Sequence, residues 1–312
     1  MAMKRILWRI GLIAGIAATV AFAWHAARVF EAHDLALFAS GKGMAALLAA
    51  AACYSAMIPL SALGWQVLLR GFDVTLKFRT LVEILAIAQF AKYLPGNVGV
   101  HLGRAGMVAT HGVGGRAIVG SLLTEMMLAV VAALGVGAFG LWLTRSGILD
   151  ILRVHAGRSL TLAGVFLASA VLAWLVLWRI PGPARTWMTR QSWPGWRPML
   201  RATFLYALNY ALIALGILIM AHLLLPGTRH DFPLLLTAFP LAWVAGFFAP
   251  GAPAGLGIRE TLMLLILRTG YAEADALVIV VGARVATILG DVAAFLTGSL
   301  SLLLSRRAAA SS

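Results

Sequence analysis

Long apolar runs, separated by short clusters of basic residues, glycine and proline, set the pattern of this 312-residue chain. A helix crossing about 30 Å of hydrocarbon needs about 20 apolar residues. Six runs meet that length: residues 6–24, 44–69, 117–143, 159–178, 202–224 and 276–304. Two further apolar regions, 81–110 and 232–267, are cut into pieces by proline and glycine, and their first pieces, 81–94 and 233–249, are short for a crossing. Non-helical backbone at membrane depth is tolerated only where protein or a water-filled cavity satisfies its polar groups. The pattern predicts an all-α polytopic membrane protein with six full transmembrane helices plus two broken, re-entrant helical hairpins. The alternative is that each broken region makes two ordinary crossings.

The two broken regions carry the same phrase. Pro95-Gly96 is followed, nine residues after the proline, by Arg104; Pro250-Gly251 is followed at the same interval by Arg259. Paired, Gly/Pro-interrupted apolar segments in two halves of a membrane chain point to a central transport site. One membrane domain, 1–312, therefore divides into a first inverted repeat, 44–143, and a second, 202–304. A chance recurrence in a chain with 32 glycines is the competing explanation.

Composition agrees with the pattern, with 62% hydrophobic and 12% charged residues, about half the charged share of a soluble domain. The formal charge of +14 lies mostly in the connecting loops. Short cytoplasmic loops are enriched in Lys and Arg, and residues 179–201 hold five arginines and no acid. With Lys4, Arg5, Arg70, Lys77, Arg79, Arg306 and Arg307, this places both termini on the cytoplasmic side of a bacterial inner membrane. Only the loop 144–158, with Arg145, Arg153 and Arg158, is discordant. Attraction to anionic lipid headgroups accounts for such a charge without any nucleic-acid partner. In the 179–201 loop, Trp187, Trp193 and Trp196 alternate with arginines, as in a segment lying at the headgroup level; docking of a lipid-biosynthesis enzyme is the alternative.

Ionisable groups within apolar segments are expensive and turn toward a cavity or a partner. Arg104 and Arg259 suit a phosphate-bearing headgroup, since a guanidinium stays charged and offers a planar fork. Lys92 and His101 add donors in the first copy only. Around them, Gly96, Asn97, Gly99, Gly103, Gly251, Gly255 and Gly257 would let backbone N–H groups approach an anion, or would serve only close helix packing. The candidate substrate-binding set is thus Lys92, Pro95, Gly96, Asn97, His101, Arg104, Pro250, Gly251, Gly255, Gly257 and Arg259. Glu125, Glu260, Arg284 and Asp291 form a second set, either structural counter-ions for the hairpin arginines or proton-coupling sites. Glu83 and Glu260 flank the hairpins as candidate partners for Arg79 and Arg259, although Glu260, adjacent to Arg259, would face a different direction on a helix.

Lys92-Tyr-Leu-Pro-Gly, Gly103-Arg104, Glu125 and Pro250-Gly251 with Gly255-Leu-Gly-Ile-Arg-Glu260 together resemble the flippase-like integral membrane family that includes the membrane domain of lysylphosphatidylglycerol synthases. The resemblance covers nearly the whole chain and implies a polytopic bundle that moves or binds a polar-headed lipid. Similar members often carry an Arg directly after the acid at Glu125; Met126 stands there, which puts an ion pair at that point in question. Aminoacylating members carry a soluble catalytic domain after the membrane part, and this sequence runs to Ser312, so it resembles a stand-alone member.

Other chemistry lacks a motif. Cys53 is single and is expected to be buried in the second span as a packing residue. The seven histidines show no metal-ligand spacing, and neither a nucleotide phosphate loop nor a cofactor signature occurs. The basic, apolar start is too long for a signal peptide and reads as the first span. A lipid flippase with membrane lipids and their anionic headgroups as partners leads. An integral membrane transferase, with Glu125, Glu260 or Asp291 as its acid or base, and a non-transporting scaffold of a lipid-biosynthesis complex are the alternatives.

Overall fold

The computed structural model describes residues 32–93, 99–144, 193–249 and 253–310, together with Val20 and Trp24, and all regular structure among them is helical. The expected spans 6–24 and 159–178, and most of the basic loop, lie outside the described residues. Along the chain run α1 (Ala32–Ala39), α2 (Gly41–Ser55), α3 (Met57–Arg70), α4 (Phe78–Ala88), α5 (Gly99–Ala109), α6 (Gly115–Leu143), α7 (Trp196–Leu224), α8 (Phe232–Phe248), α9 (Ile258–Leu267) and α10 (Glu273–Ala310). Short 3₁₀ turns follow α4 (Gln89–Tyr93) and precede α9 (Pro253–Gly255).

Four stretches are long and apolar enough to cross a membrane: Gly41–Arg70, Gly115–Leu143, Trp196–Leu224 and Glu273–Leu304. They coincide with four of the six expected spans. The first is broken at Ala56 into α2 and α3. Pro59, in the first turn of α3, has no N–H for the Ser55 carbonyl and its ring crowds that carbonyl, which is the usual cause of a kink. The freed turn is used elsewhere, as the Ser55 hydroxyl donates to the Gly290 carbonyl of α10 at 3.3 Å. The helix expected from residue 202 begins at Trp196, so the last part of the anticipated basic loop is helical.

The broken regions are built from shorter helices. Helices α4 and α5 have 11 residues each, about 16 Å of rise at 1.5 Å per residue, and pack on each other. Helices α8 and α9, of 17 and 10 residues, do likewise. Across the bundle, α7 lies against α2 and α3, α4 against α10, and α8 against α6, while the two 3₁₀ turns touch each other. A large apolar core joins α2, α6, α7, α8, α9 and α10, and a smaller one, around Trp65, Leu69, Leu81 and Ile84, joins α3 to α4, α5 and the start of α6.

Small residues permit these approaches, as in membrane bundles generally. A side chain at Gly216 of α7 would begin 2.7 Å from Cβ of Cys53; Cys53 is half-buried in that contact rather than fully enclosed. Where the second broken region turns, Ala254, Gly255 and Gly257 all have positive φ (51°, 69° and 79°). A Cβ on Gly255 would lie 2.8 Å from Cα of Gly246. Gly255→Ala combines that backbone collision with a left-handed conformation costing a non-glycine residue about 1–3 kcal/mol. It is therefore expected to lower the thermal unfolding midpoint in detergent, whereas Gly106→Ala, which meets nothing within 4 Å, should not.

Candidate functional site

Between the two broken regions lies a cavity of about 220 Å³. Lys92 of the first 3₁₀ turn, His101 and Arg104 of α5, Glu125 of α6 and Arg259 of α9 all line it. Five residues picked out from scattered parts of the sequence thus meet on one wall system. Pro95, Gly96, Asn97, Pro250 and Gly251 lie outside the described residues.

The charges are not arranged as the repeated phrase suggests. Arg104, 4% exposed, grips Glu125 with both arms of its fork: Nη1 donates to Oε1 at 2.9 Å and Nη2 to Oε2. Its guanidinium also lies 4.0 Å from the centre of the Trp65 ring, whose indole N–H donates to the Ser121 hydroxyl at 3.1 Å. Glu125, followed by Met126 rather than an arginine, takes its cation from the neighbouring helix. Lys92 forms an ion pair with Asp291, which is completely buried, and donates to the Tyr54 hydroxyl at 2.8 Å. That hydroxyl in turn donates to Asp291 at 3.2 Å, so a Lys–Tyr–Asp cluster ties the first broken region to α2 and α10.

In the second copy, Glu260 turns away from its neighbour Arg259. Successive residues on a helix project about 100° apart, and the carboxylate instead receives Arg284 of α10 at 3.2 Å and the Gly257 N–H at 2.7 Å. Glu260 therefore does not serve Arg259, in keeping with the divergent directions of adjacent helical residues. The Gly257 N–H, one of the donors that could meet an anion, is here capped by the Glu260 carboxylate. Gly255 lies behind the wall, packed on Gly246. Arg284 and Asp291 do share α10, but their partners are Glu260 and Lys92 rather than the two hairpin arginines. Glu83 and Arg79 pair as expected, at 3.0 Å.

Arg259 is the exception. Its guanidinium rests on the face of Phe239, 4.4 Å from the ring centre, and among the described residues no carboxylate lies within ion-pair distance of it. Lys92, Arg104 and Arg284 are each paired with one acid, so among the described residues of the cavity wall Arg259 is the cation left without one.

The opposite wall comes from α7, which the charge-based reading missed. Tyr206, Asn209 and Tyr210 line the cavity. Asn209 donates to the Ser61 hydroxyl at 3.0 Å and Tyr210 to the Ala129 carbonyl at 3.3 Å. The Tyr206 hydroxyl, Asn209 Oδ1 and His101 Nδ1 are buried without a partner. The signal was present: Tyr206, Asn209 and Tyr210 are three and four positions apart in an apolar run, hence on one helix face. No group of acids, histidines and cysteine suited to a metal occurs among the described residues.

A family model, that of the lysylphosphatidylglycerol synthase TM region, matches residues 10–294. No curated protein matches the chain.

Proposed function

The chain belongs to the lysylphosphatidylglycerol synthase transmembrane family, and on that premise we propose that it is a lipid translocase of the bacterial inner membrane. The family is one of membrane proteins that handle lipids. In this reading the cavity between the broken regions receives the polar head of a phosphate-bearing or glycosylated lipid, while the acyl chains stay in the bilayer. The observation that carries it is the unneutralised Arg259 on the cavity wall. A lone arginine at the centre of a membrane helix costs about 2.5–3.5 kcal/mol on insertion scales, a cost that an anion arriving from the membrane surface offsets.

The packing supports a moving machine. Each broken region lies against the last long helix of the other half, α4 on α10 and α8 on α6, and the first helices of the two halves, α2 and α7, face each other. Such an exchange of partners is what a two-fold relation between inverted repeats produces, and it lets two halves rock about a central site. On this reading the 11- and 10-residue helices beside the breaks are re-entrant. The lysine, tyrosine and aspartate cluster then acts as a latch holding the 3₁₀ turn Gln89–Tyr93 against α10.

Leaflet-resolved scrambling of tagged lipids in proteoliposomes containing the pure protein is the test. At least one anionic or glycosylated lipid class is expected to change leaflet faster than in protein-free vesicles. If no lipid moves, with or without an imposed proton gradient, the translocase reading fails and the transferase and scaffold readings replace it.

A further inference from the structure

We propose, resting on the lipid-headgroup reading of this cavity, that it selects a head in which one phosphate is joined to a neutral, hydroxyl-bearing group and discriminates against heads carrying an ammonium. The discrimination against an ammonium rests on the charge balance. With Glu125 held by Arg104 and Asp291 by Lys92, the cavity offers an incoming ammonium no uncommitted carboxylate among the described residues, and Arg259 repels it.

Aromatic faces are the other common receptor for an ammonium. Several of those at the cavity are already engaged: Phe239 carries Arg259, Tyr54 carries Lys92 at 5.3 Å, one face of Trp243 is stacked on Phe247 at 5.1 Å, and Tyr210 meets Trp243 edge-on at 5.6 Å. The same lining that attracts a phosphate offers a lysyl ammonium neutral acceptors only, with no carboxylate free to pair with it among the described residues.

The preference for a hydroxyl-bearing group comes from the unpartnered atoms. A buried polar group without a partner costs about 1–3 kcal/mol, and the Tyr206 hydroxyl, Asn209 Oδ1 and His101 Nδ1 cluster on residues lining one cavity. A hydroxyl both donates and accepts, so a glycerol, inositol or sugar unit satisfies all three, whichever ring nitrogen of His101 carries the proton. Asn209 Oδ1, an acceptor, calls for a donor that a bare phosphodiester lacks.

Equilibrium binding to the purified full chain in detergent, followed by native mass spectrometry, separates the outcomes. The probes are phosphatidylglycerol, lysylphosphatidylglycerol and water-soluble glycerol 1-phosphate. Phosphatidylglycerol is expected to bind at least about tenfold more tightly than its lysyl ester, equivalent to about 1.4 kcal/mol. In Arg259→Gln the ratio should fall toward one. Displacement of the lipid by glycerol 1-phosphate would extend the site to free phosphate esters, and failure to displace it would assign the lipid as the source; both support the chemistry. Equal or tighter binding of the lysyl ester, a ratio that survives Arg259→Gln, or no binding of either lipid overturns it. The wild-type comparison needs no variant, so it holds even if Arg259→Gln misfolds. A preference without scrambling would remove the translocase reading and leave the headgroup assignment; scrambling of both lipids at equal rates would do the reverse.

Discussion

Arg259→Ala protein should insert, fold and purify like wild type and yet lose about ten- to a hundredfold of its lipid-scrambling rate. The factor follows from one charged hydrogen bond to the headgroup, about 1.5–3 kcal/mol, expressed entirely on the path through the cavity. Stability should be spared because Arg259 satisfies no carboxylate and its removal orphans none. What is lost is a guanidinium lying on Phe239, an interaction of about 0.5–2 kcal/mol that is set against relief of an uncompensated charge. Arg259→Lys keeps the charge but not the planar fork, and is expected to fall between the two. The decisive comparison is scrambling rate against unfolding midpoint in the same preparation. If Arg259→Ala scrambles normally, the residual positive charge of the cavity has no role in transport. If it unfolds, Arg259 belongs to the framework.

That one of two arginines in matching positions is free and the other captured was not legible in the sequence. The repeated phrase picks out Arg104 and Arg259, which do line one cavity, although Arg104 is the sixth residue of α5 and Arg259 the second of α9. Spans were legible from length alone: the helices at Gly41–Arg70, Gly115–Leu143, Trp196–Leu224 and Glu273–Leu304 needed only sustained apolarity. Partner choice was not, since it depends on tertiary distance. Lys92 and Asp291 meet although 199 positions separate them, and nothing local distinguishes that acid from Glu260, which turned to Arg284. At Glu260 the sequence did show that its neighbour Arg259 is a poor partner, because adjacent helical residues diverge, but not that Arg284 is the partner. Nearness in sequence was uninformative at Glu125, whose cation comes from the preceding helix, 21 positions back. The polar face of α7 and the kink at Ala56 were readable, from the spacing of Tyr206, Asn209 and Tyr210 and from Pro59, but charge is a stronger signal than a tyrosine or a proline and drew the reading to itself.

Removing Glu125 should do what removing Arg259 does not. In Glu125→Ala the Arg104 guanidinium stays 4% exposed, with its Nε already unpartnered and only the Trp65 ring left to stabilise its charge. Stripping one partner from a buried pair costs about 3–5 kcal/mol, whereas replacing both by apolar residues of similar volume is often neutral or stabilising. Glu125→Ala is therefore expected to drop the unfolding midpoint steeply or to prevent recovery of folded protein, and Arg104→Met with Glu125→Leu to restore most of it. The pair lines the cavity, so the double variant also asks a functional question. If it is stable and still scrambles lipid, Arg104 is a framework residue, and the two halves of the repeat have divided their labour, one arginine holding the bundle and the other meeting the headgroup. If it is stable and inert, the bidentate pair opens during transport and Arg104 takes part in passing the phosphate on. A Glu125→Ala protein as stable as wild type would show that Arg104 reaches water or another anion, which would return it to equality with Arg259.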